Sequence, residues 1–127
     1  MTSLLLDTEV LIWWDTNDPR LGGNARAAIQ NAREVFVSAA SAWEIVIKAA
    51  LGKLQTTRSA ADAVAEGGFR ELPIAFDHAE AVSALPLHHS DPFDRLIIAA
   101  AAVEGCAVVT SDEKFRLYEV RLVDARR

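Results

Sequence analysis

The amino-acid sequence predicts an α/β protein in which a central parallel sheet is flanked by helices in three layers. Three short apolar runs, at residues 4–6, 35–37 and 107–109, have the length and apolar character of buried strands. Each run is followed within one or two residues by a polar residue and a helical pattern. Because a strand followed by a helix is the repeating unit of βαβ folds, we expect these strands to be parallel.

Turn and capping residues locate the remaining elements. Residues 69–72, which Pro73 stops, and residues 120–123 are weaker strand candidates. Helices are predicted over residues 9–15, 24–32, 40–51, 59–66, 76–84 and 92–104. The last helix is the clearest, because Asp91 can cap it, Pro92 suits its first position and Gly105 can end it. Its segment 96–103 is apolar on all sides, so we expect this helix to be buried.

Length and composition restrict the classes of function. The chain has 127 residues, which predicts a single domain over residues 1–127. Its formal net charge of −5 argues against nonspecific attraction to polyanions, so a nucleic-acid role requires a local site. The single cysteine, Cys106, excludes an internal disulfide and a cysteine-based zinc cage, and we expect it to be buried. With no basic leader and no long apolar run, a cytoplasmic protein without membrane association is expected.

Four acidic residues, Asp7, Glu44, Asp94 and Asp112, follow strands or begin helices. Each also has a purely structural explanation. The three aspartates can cap helices, with Asp94 at the third position of a capping box that begins at Asp91. Glu44 can pair with Lys48, four residues later on the same helix face. Individually, these residues are therefore weak indicators of function.

Considered together, the four acids indicate a metal site. In an open parallel α/β sheet, strand ends and helix starts share one edge, and all four residues map to that edge. Converging carboxylates repel one another unless a cation lies between them. Mg²⁺ or Mn²⁺ suits such oxygen ligands and leaves room for phosphate and water. The chemistry expected from this arrangement is phosphodiester hydrolysis by in-line displacement.

Four segments extend this interpretation to a known family. LLLDTEVLIWW, VSAASAWEIVIKAALGKL, LPLHHSDPFDRLIIAAA and AVVTSDEKF resemble, in order and spacing, the motifs of PIN-domain ribonucleases, and most closely those of the VapC toxin branch. The resemblance covers nearly the whole chain. It implies a PIN-like fold, magnesium-dependent endoribonuclease activity on RNA, inhibition by a cognate antitoxin protein that covers the acidic site, and homodimerisation.

The resemblance also implies roles for single residues. Asp7 and Asp94 would be direct metal ligands, with Asp112 completing the set, while Glu44 would orient or deprotonate the attacking water. Two hydroxyl side chains beside the acids would hold a carboxylate or a water by hydrogen bonds, namely Thr8 and Thr110. The chain departs from many relatives at Glu9, where they have histidine; an extra acid there either strengthens cation attraction or repels phosphate.

Other polar and aromatic residues are given structural interpretations. His88 and His89 are expected to be loop residues, with a substrate contact by one of them left open, and His78 to lie on a helix surface. Three tryptophans are expected in the core or an interface, with a partner surface at the first two as the alternative: Trp13, Trp14 and Trp43. Cations placed to contact RNA are Lys48, Lys53, Arg95, Lys114 and Arg116. Arg126 and Arg127 are expected to fray.

Two other functions remain open from the residues alone. A response-regulator-like signalling module also groups acids at this sheet edge. It needs an aspartate acceptor after the middle strand, where this chain has Ser38 and Ala39. The second alternative is a binding protein that keeps the fold without catalysis. Motifs for nucleoside triphosphates, dinucleotides, zinc proteases and serine hydrolases are absent from the sequence.

Overall fold

A computed structural model describes residues 2–54 and 58–127 and contains a five-stranded parallel sheet. The strands lie in the order β3-β2-β1-β4-β5. Their bounds are β1 Leu4–Leu6, β2 Val35–Ser38, β3 Arg70–Leu72, β4 Ala107–Thr110 and β5 Leu122–Asp124. The predicted parallel sheet is confirmed. The last strand begins two residues later than predicted, because the Val120 N–H is used in a turn to the Tyr118 carbonyl.

In the described part of the chain, six α-helices connect and cover the strands. They are α1 Thr8–Asp15, α2 Gly23–Asn31, α3 Ala39–Ala50, α4 Ala60–Gly67, α5 Phe76–Ala81 and α6 Pro92–Glu104. Helix α5 is shorter than predicted, since its continuation Val82–Ala84 is a 3-10 helix, and a second 3-10 helix follows β4 at Glu113–Leu117. Among the described residues, no helix has the combined length and apolar character that crossing a bilayer demands.

The two faces of the sheet have separate apolar cores, which gives the predicted three layers. Leu4 and Leu6 of β1 face one core, together with side chains of α1, α2, α3 and α4. Leu5, between them, faces the other core with α6. This alternation follows from the two-residue period of a strand. Because β1 is central and covered on both sides, all its side chains are apolar and buried.

Helix α6 is buried in its middle but not throughout. Residues 97–101 are buried under the sheet, whereas Val103 in the last turn is 40% exposed. The prediction of a helix buried along 96–103 is therefore wrong for its end, where α6 extends past the sheet core. The predicted burial of Cys106, directly after this helix, is confirmed.

His78 is buried, so the prediction that it lies on a helix surface is wrong. Its side chain lies between α5 and α6 with only 2% of the residue exposed. Its Nδ1 accepts the N–H of Ala75 at 3.1 Å, and its Nε2 lies 2.7 Å from Glu104 Oε2. Packing of α5 on α6 turns this helix face inward, which the short helical pattern did not reveal.

Arg126 and Arg127 are held in place by backbone contacts, so the prediction that they fray is wrong. The Gly22 N–H donates to the Ala125 carbonyl at 2.9 Å, and the Asn24 N–H donates to the Arg127 carbonyl at 2.8 Å. A Cβ atom on Gly22 would lie 2.3 Å from the carbonyl carbon of Arg127, so only glycine permits this approach. The Arg126 guanidinium lies 5.2 Å from the Trp13 ring.

The three tryptophans occupy different environments. Trp13 is buried in the core, which excludes it from a partner surface, and Trp14 packs partly buried against Phe69, with ring centroids 5.6 Å apart. Trp43 is 61% exposed and contacts the Phe93 ring edge-to-face at 5.5 Å. Trp13 and Trp14 therefore pack in or against the core, whereas Trp43 lies outside it, and the interface part of the prediction stays a prediction for Trp43.

Candidate metal centre

Asp7 lies where β1 ends and α1 begins, and each oxygen of its carboxylate accepts one hydrogen bond. The Thr8 N–H donates to Oδ1 at 2.8 Å, which caps α1 as the sequence predicted. The Thr110 hydroxyl, at the end of β4, donates to Oδ2 at 2.8 Å. These two donors allow a carboxylate to be buried without a salt bridge. They also fix its orientation at the carboxyl edge of the sheet.

Glu44 is buried on α3 and forms the predicted ion pair with Lys48. Lys48 Nζ lies 2.6 Å from Oε2, and the Thr8 hydroxyl lies 2.6 Å from Oε1. That hydroxyl also lies 2.8 Å from Ser41 Oγ. Since a hydroxyl has one proton, Thr8 donates to the carboxylate and accepts from Ser41. Both oxygens of Glu44 are thereby held in place.

Asp94 does not take part in the capping box that the sequence allowed. Asp91 caps α6 by accepting the N–H groups of Phe93 at 2.8 Å and Asp94 at 3.1 Å. In a capping box, the Asp94 carboxylate would accept the N–H of Asp91 in return. Here that N–H donates to His89 Nδ1 at 3.2 Å. The Asp94 carboxylate is therefore released from the cap and faces the sheet edge.

Asp112 combines a capping role with a position at the site. Its Oδ1 accepts the Lys114 N–H at 2.9 Å, which starts the 3-10 helix after β4. Its own N–H donates to Thr110 Oγ1 at 3.0 Å, and that hydroxyl in turn donates to Asp7. A continuous hydrogen-bond chain thus connects Asp112 to Asp7. The predicted contacts of Thr8 and Thr110 with the acids are both present.

The four acids line one cavity of about 410 Å³ at the carboxyl edge of the sheet. The structure therefore brings together all four residues that the sequence singled out: Asp7, Glu44, Asp94 and Asp112. Glu9 also lines this cavity, and so do three cations, Arg20, Lys48 and Lys53. The acids come from four places in the chain: the end of β1, α3, α6 and the segment after β4. They converge because parallel strands end at the same edge of the sheet.

The negative charge in the cavity is only partly compensated by its cations. Burial raises the pKa of Asp94 to about 8, and the charges of Asp7, Asp91, Glu44 and Asp112 act in the same direction. Burial also raises the pKa of Asp7 to about 6, against the lowering effect of its hydrogen bonds from Thr110 and Thr8. Carboxylates that are costly to ionise in this way favour a bound cation. Their oxygen atoms suit a hard divalent ion.

His89 is the residue of this site that the sequence analysis missed. It lies in the loop before α6, as predicted, but its side chain is largely buried. Its Nε2 lies 2.9 Å from Asp94 Oδ2 and 2.9 Å from Asp112 Oδ2. Residue type could not distinguish His89 from the adjacent His88, which is exposed. The one sequence feature that pointed to His89 was its position two residues before Asp91, which caps α6.

Potential ligand atoms are closest together around this histidine. Those of His89, Asp94 and Asp112 all lie within 4.8 Å of one another. Asp7 and Glu44 line the same cavity but stand outside this group. The three predicted metal ligands therefore divide into a close pair, Asp94 and Asp112, and Asp7 elsewhere on the cavity wall.

The predicted RNA-contacting cations have different surroundings. Lys48 and Lys53 line the cavity, and Lys114 is exposed beside Asp112. Arg116 lies 3.6 Å from Asp124 in a mostly exposed ion pair. Arg95 is unsuited to the predicted role, because its guanidinium donates to loop carbonyls, including that of Pro86 at 3.0 Å. It holds the loop before α6.

Sequence comparison identifies the family. The PIN domain profile matches residues 4–120. Over 119 residues, the chain is 32% identical to Ribonuclease VapC22 of Mycobacterium tuberculosis (strain ATCC 25618 / H37Rv), an alignment that covers 91% of this chain and 92% of that protein.

Solved structures share the fold. The crystal structure of VapBC2 from Rickettsia felis bound to a DNA fragment from their promoter aligns with a TM-score of 0.71 and 14% identity, covering 96% of this chain and 98% of that chain. DNA-bound VapBC from Salmonella typhimurium aligns with a TM-score of 0.69 and 20% identity, covering 98% of each chain. By sequence and by fold, the chain belongs to the PIN-domain family, as a relative of the VapC ribonucleases.

Proposed function

We propose that this protein is a metal-dependent endoribonuclease toxin that hydrolyses RNA phosphodiester bonds and is neutralised by a cognate antitoxin. The observation that carries the proposal is the convergence of Asp7, Glu44, Asp94 and Asp112 on one cavity. Kinship with a protein named as a ribonuclease supports the same chemistry. We further propose that residues 1–127 act as one domain in the cytoplasm.

The donor set fits a divalent cation of the Mg²⁺ or Mn²⁺ kind. Asp7, Asp94 and Asp112 would hold it, because their oxygens face the cavity from three different elements. When bound, such an ion polarises the phosphodiester and lowers the pKa of a water molecule that it binds. The raised pKa values of Asp7 and Asp94 support this assignment, since burial and the neighbouring acids make both carboxylates costly to ionise without a cation.

The chain's own residues orient the reactants. Glu44, held by Thr8 and Lys48, presents a fixed acceptor that orients the attacking water. Lys53 lies on the cavity wall, where it offsets the repulsion between the acids and an RNA phosphate, whereas Arg20 on the same wall is paired with Asp18. Local cations of this kind allow an acidic protein to bind a polyanion at one place only.

Partner proteins are proposed from exposed apolar surface and from the relatives. The two solved structures compared above are those of VapBC2 and VapBC bound to DNA. On α3 and just after it, Trp43, Val46 and Leu51 are each more than 60% exposed. Apolar side chains exposed together are typical of interaction surfaces. An antitoxin seated there would lie beside Lys48 and the cavity. We also propose that the toxin forms a homodimer.

Asp7→Asn tests the nuclease assignment. The amide keeps one hydrogen-bond acceptor for Thr8 or Thr110 and removes the charge, so the fold should persist while RNA cleavage with Mg²⁺ or Mn²⁺ is lost. The matched control is Asp77→Asn, an exposed aspartate on α5 outside the cavity. Cleavage of a mixed RNA substrate and circular dichroism are measured for both variants. Full activity of Asp7→Asn would contradict the assignment.

Expression in cells tests the toxin assignment separately. The chain alone should arrest growth, and co-expression with the neighbouring reading frame should restore it. Mapping RNA ends from the arrested cells identifies the cleaved RNA. A binding protein without catalysis would leave RNA ends unchanged. A signalling module would instead form an acyl phosphate with a small phosphodonor.

A further inference from the structure

His89 is held in place by groups that are not part of the acidic cavity. The Tyr118 hydroxyl accepts the N–H groups of His88 at 3.1 Å and His89 at 2.8 Å. The Arg95 guanidinium donates to the His89 carbonyl and to the Tyr118 hydroxyl, each at 3.3 Å. The Phe115 ring packs edge-to-face on the imidazole, with centroids 6.2 Å apart. The imidazole position is therefore determined by the surrounding fold.

The hydrogen bonds of His89 determine which ring nitrogen carries the proton. Nδ1 accepts the backbone N–H of Asp91 at 3.2 Å, and an acceptor nitrogen has no proton. A neutral imidazole then has its proton on Nε2. Nε2 lies 2.9 Å from an oxygen of Asp94 and 2.9 Å from an oxygen of Asp112. The Nε2–H donates to Asp112, and the same nitrogen stands in ion-pair contact with Asp94, so one imidazole edge lies against carboxylates from two different elements.

The same tautomer argues against direct metal ligation by His89. A neutral histidine that binds an ion through Nε2 has its proton on Nδ1. That proton would point at the Asp91 N–H, which is itself a donor. Two donors would face each other in the turn that starts α6. The local geometry therefore favours a donor to the carboxylates over a ligand of the ion.

The geometry points to His89 as a positioning residue of the metal centre, whose Nε2–H fixes Asp94 and Asp112 relative to each other. This inference rests on the proposed metal site and not on the identity of the RNA. Asp94 comes from α6 and Asp112 from the segment after β4, and each would otherwise repel the other. His89 also accepts the Asp91 N–H, which releases the Asp94 carboxylate from capping. The ligands are thus arranged before the ion arrives.

Divalent-ion affinity tests this role without relying on catalysis. For His89→Ala, calorimetry should show Mg²⁺ and Mn²⁺ affinities each weakened about 10- to 100-fold, the range for orienting groups around metal ligands. His89→Gln, whose side-chain amide can donate from a similar position, should recover much of that loss. The matched control is His88→Ala, since His88 is the same residue type in the same loop but exposed. It should change affinity by no more than about twofold.

The pattern of losses separates positioning from ligation. An imidazole ligand favours Mn²⁺ over Mg²⁺, so its removal would weaken Mn²⁺ binding more. A positioning residue predicts equal losses for the two ions. Nitrogen-15 spectra of the metal-loaded wild type should also show His89 protonated on Nε2. A proton on Nδ1 in that state would overturn the proposal.

Other outcomes are equally decisive. Wild-type affinity in a folded His89→Ala variant, or equal losses in the Gln and Ala variants, would refute the positioning role and leave the metal site intact. If the alanine variant is unfolded by circular dichroism, the glutamine variant and the wild-type spectra still decide. If the wild-type protein binds neither ion, both the metal site and this role fail.

Discussion

A histidine from outside α6 contacts carboxylates at each end of this helix, His78 of α5 at the last turn and His89 of the preceding loop at the first, and the two arrangements are built alike. His78 Nδ1 accepts a backbone N–H at 3.1 Å, and His89 Nδ1 accepts one at 3.2 Å. Nε2 then reaches Glu104 at 2.7 Å in the first case and Asp94 at 2.9 Å in the second. Both groups contain three potential metal-ligating residues. By local geometry alone, neither would be recognised as the functional one.

Their surroundings distinguish them. At the last turn of α6, the carboxylates of Glu104 and Asp77 are 40% and 64% exposed, so water solvates them. At the first turn, the Asp94 carboxylate is 14% exposed and faces the cavity with Asp7 and Glu44. The proposed chemistry therefore depends on the additional acids that other segments of the chain bring to the cavity. A histidine paired with a carboxylate is otherwise a structural contact between α5 and α6.

The largest expected effect is a difference in RNA cleavage between variants at the two ends of α6. Asp94→Asn should reduce RNA cleavage on the order of a thousandfold, because it removes a carboxylate that we propose as a metal ligand. Glu104→Gln, at the other end of the same helix, should leave cleavage within about twofold. Initial rates at saturating Mn²⁺ measure both. Equal losses in the two variants would mean that the ends do not differ as described.

A substitution at the other end of α6 should lower the stability of the protein without changing its metal affinity. His78→Ala leaves the Ala75 N–H without its acceptor and removes a buried ring between α5 and α6. The free energy of unfolding should fall by about 1–3 kcal/mol, as expected when a buried hydrogen-bonding group loses its partner. Thermal melting and urea titration measure this loss. Mn²⁺ affinity should stay at the wild-type value, and a parallel loss of affinity would contradict the separation.

A third effect is the pH dependence of the metal-free protein. An unfolded aspartate has a pKa of about 4, whereas those of Asp94 and Asp7 are raised to about 8 and about 6. Between these limits the folded state binds more protons than the unfolded state, so stability is lost as pH rises. The melting temperature in EDTA should therefore fall between pH 5 and pH 8.5, and Mn²⁺ should restore it at the upper end.

Asp94→Asn provides the control for this titration. Because asparagine does not ionise, the variant should melt at a higher temperature than wild type at pH 8.5, by roughly 5 °C. Its melting temperature should also depend less on pH. Glu104→Gln should keep the wild-type slope. A wild-type melting temperature that rises steadily from pH 5 to pH 8.5 would show that burial of the two aspartates is not the dominant effect.

Local signals predicted the fold elements closely. Helix α6 has the bounds Pro92–Glu104 that Asp91, Pro92 and Gly105 indicated, because capping and left-handed termination depend on adjacent residues. The central strands were predicted within one residue, since β1, β2 and β4 are buried apolar runs. The edge strand β5 was displaced, because its start depends on pairing with β4 and on a turn at Tyr118.

Contacts between distant residues were less predictable. His78 is buried although its local sequence suggested a helix surface, because α6 packs against α5 there. His89 is a loop residue as predicted, but its burial depends on contacts such as the one with the Tyr118 hydroxyl. Arg95 lies near the predicted acids in sequence, yet its guanidinium is used on loop carbonyls. A long polar side chain takes its direction and its hydrogen-bond partners from neighbouring residues in the fold. The spacing of residues in the sequence does not specify those neighbours.

The sequence by itself determined the α/β pattern, the acidic residues at strand ends and helix starts, and the resemblance to one family, because each depends on residues read in order along the chain. Only the tertiary structure decided that Asp94 leaves its helix cap, that His89 joins it to Asp112, and that the similar group at His78 stays outside the cavity. The physical reason is that burial and charge repulsion arise between segments that meet only after folding.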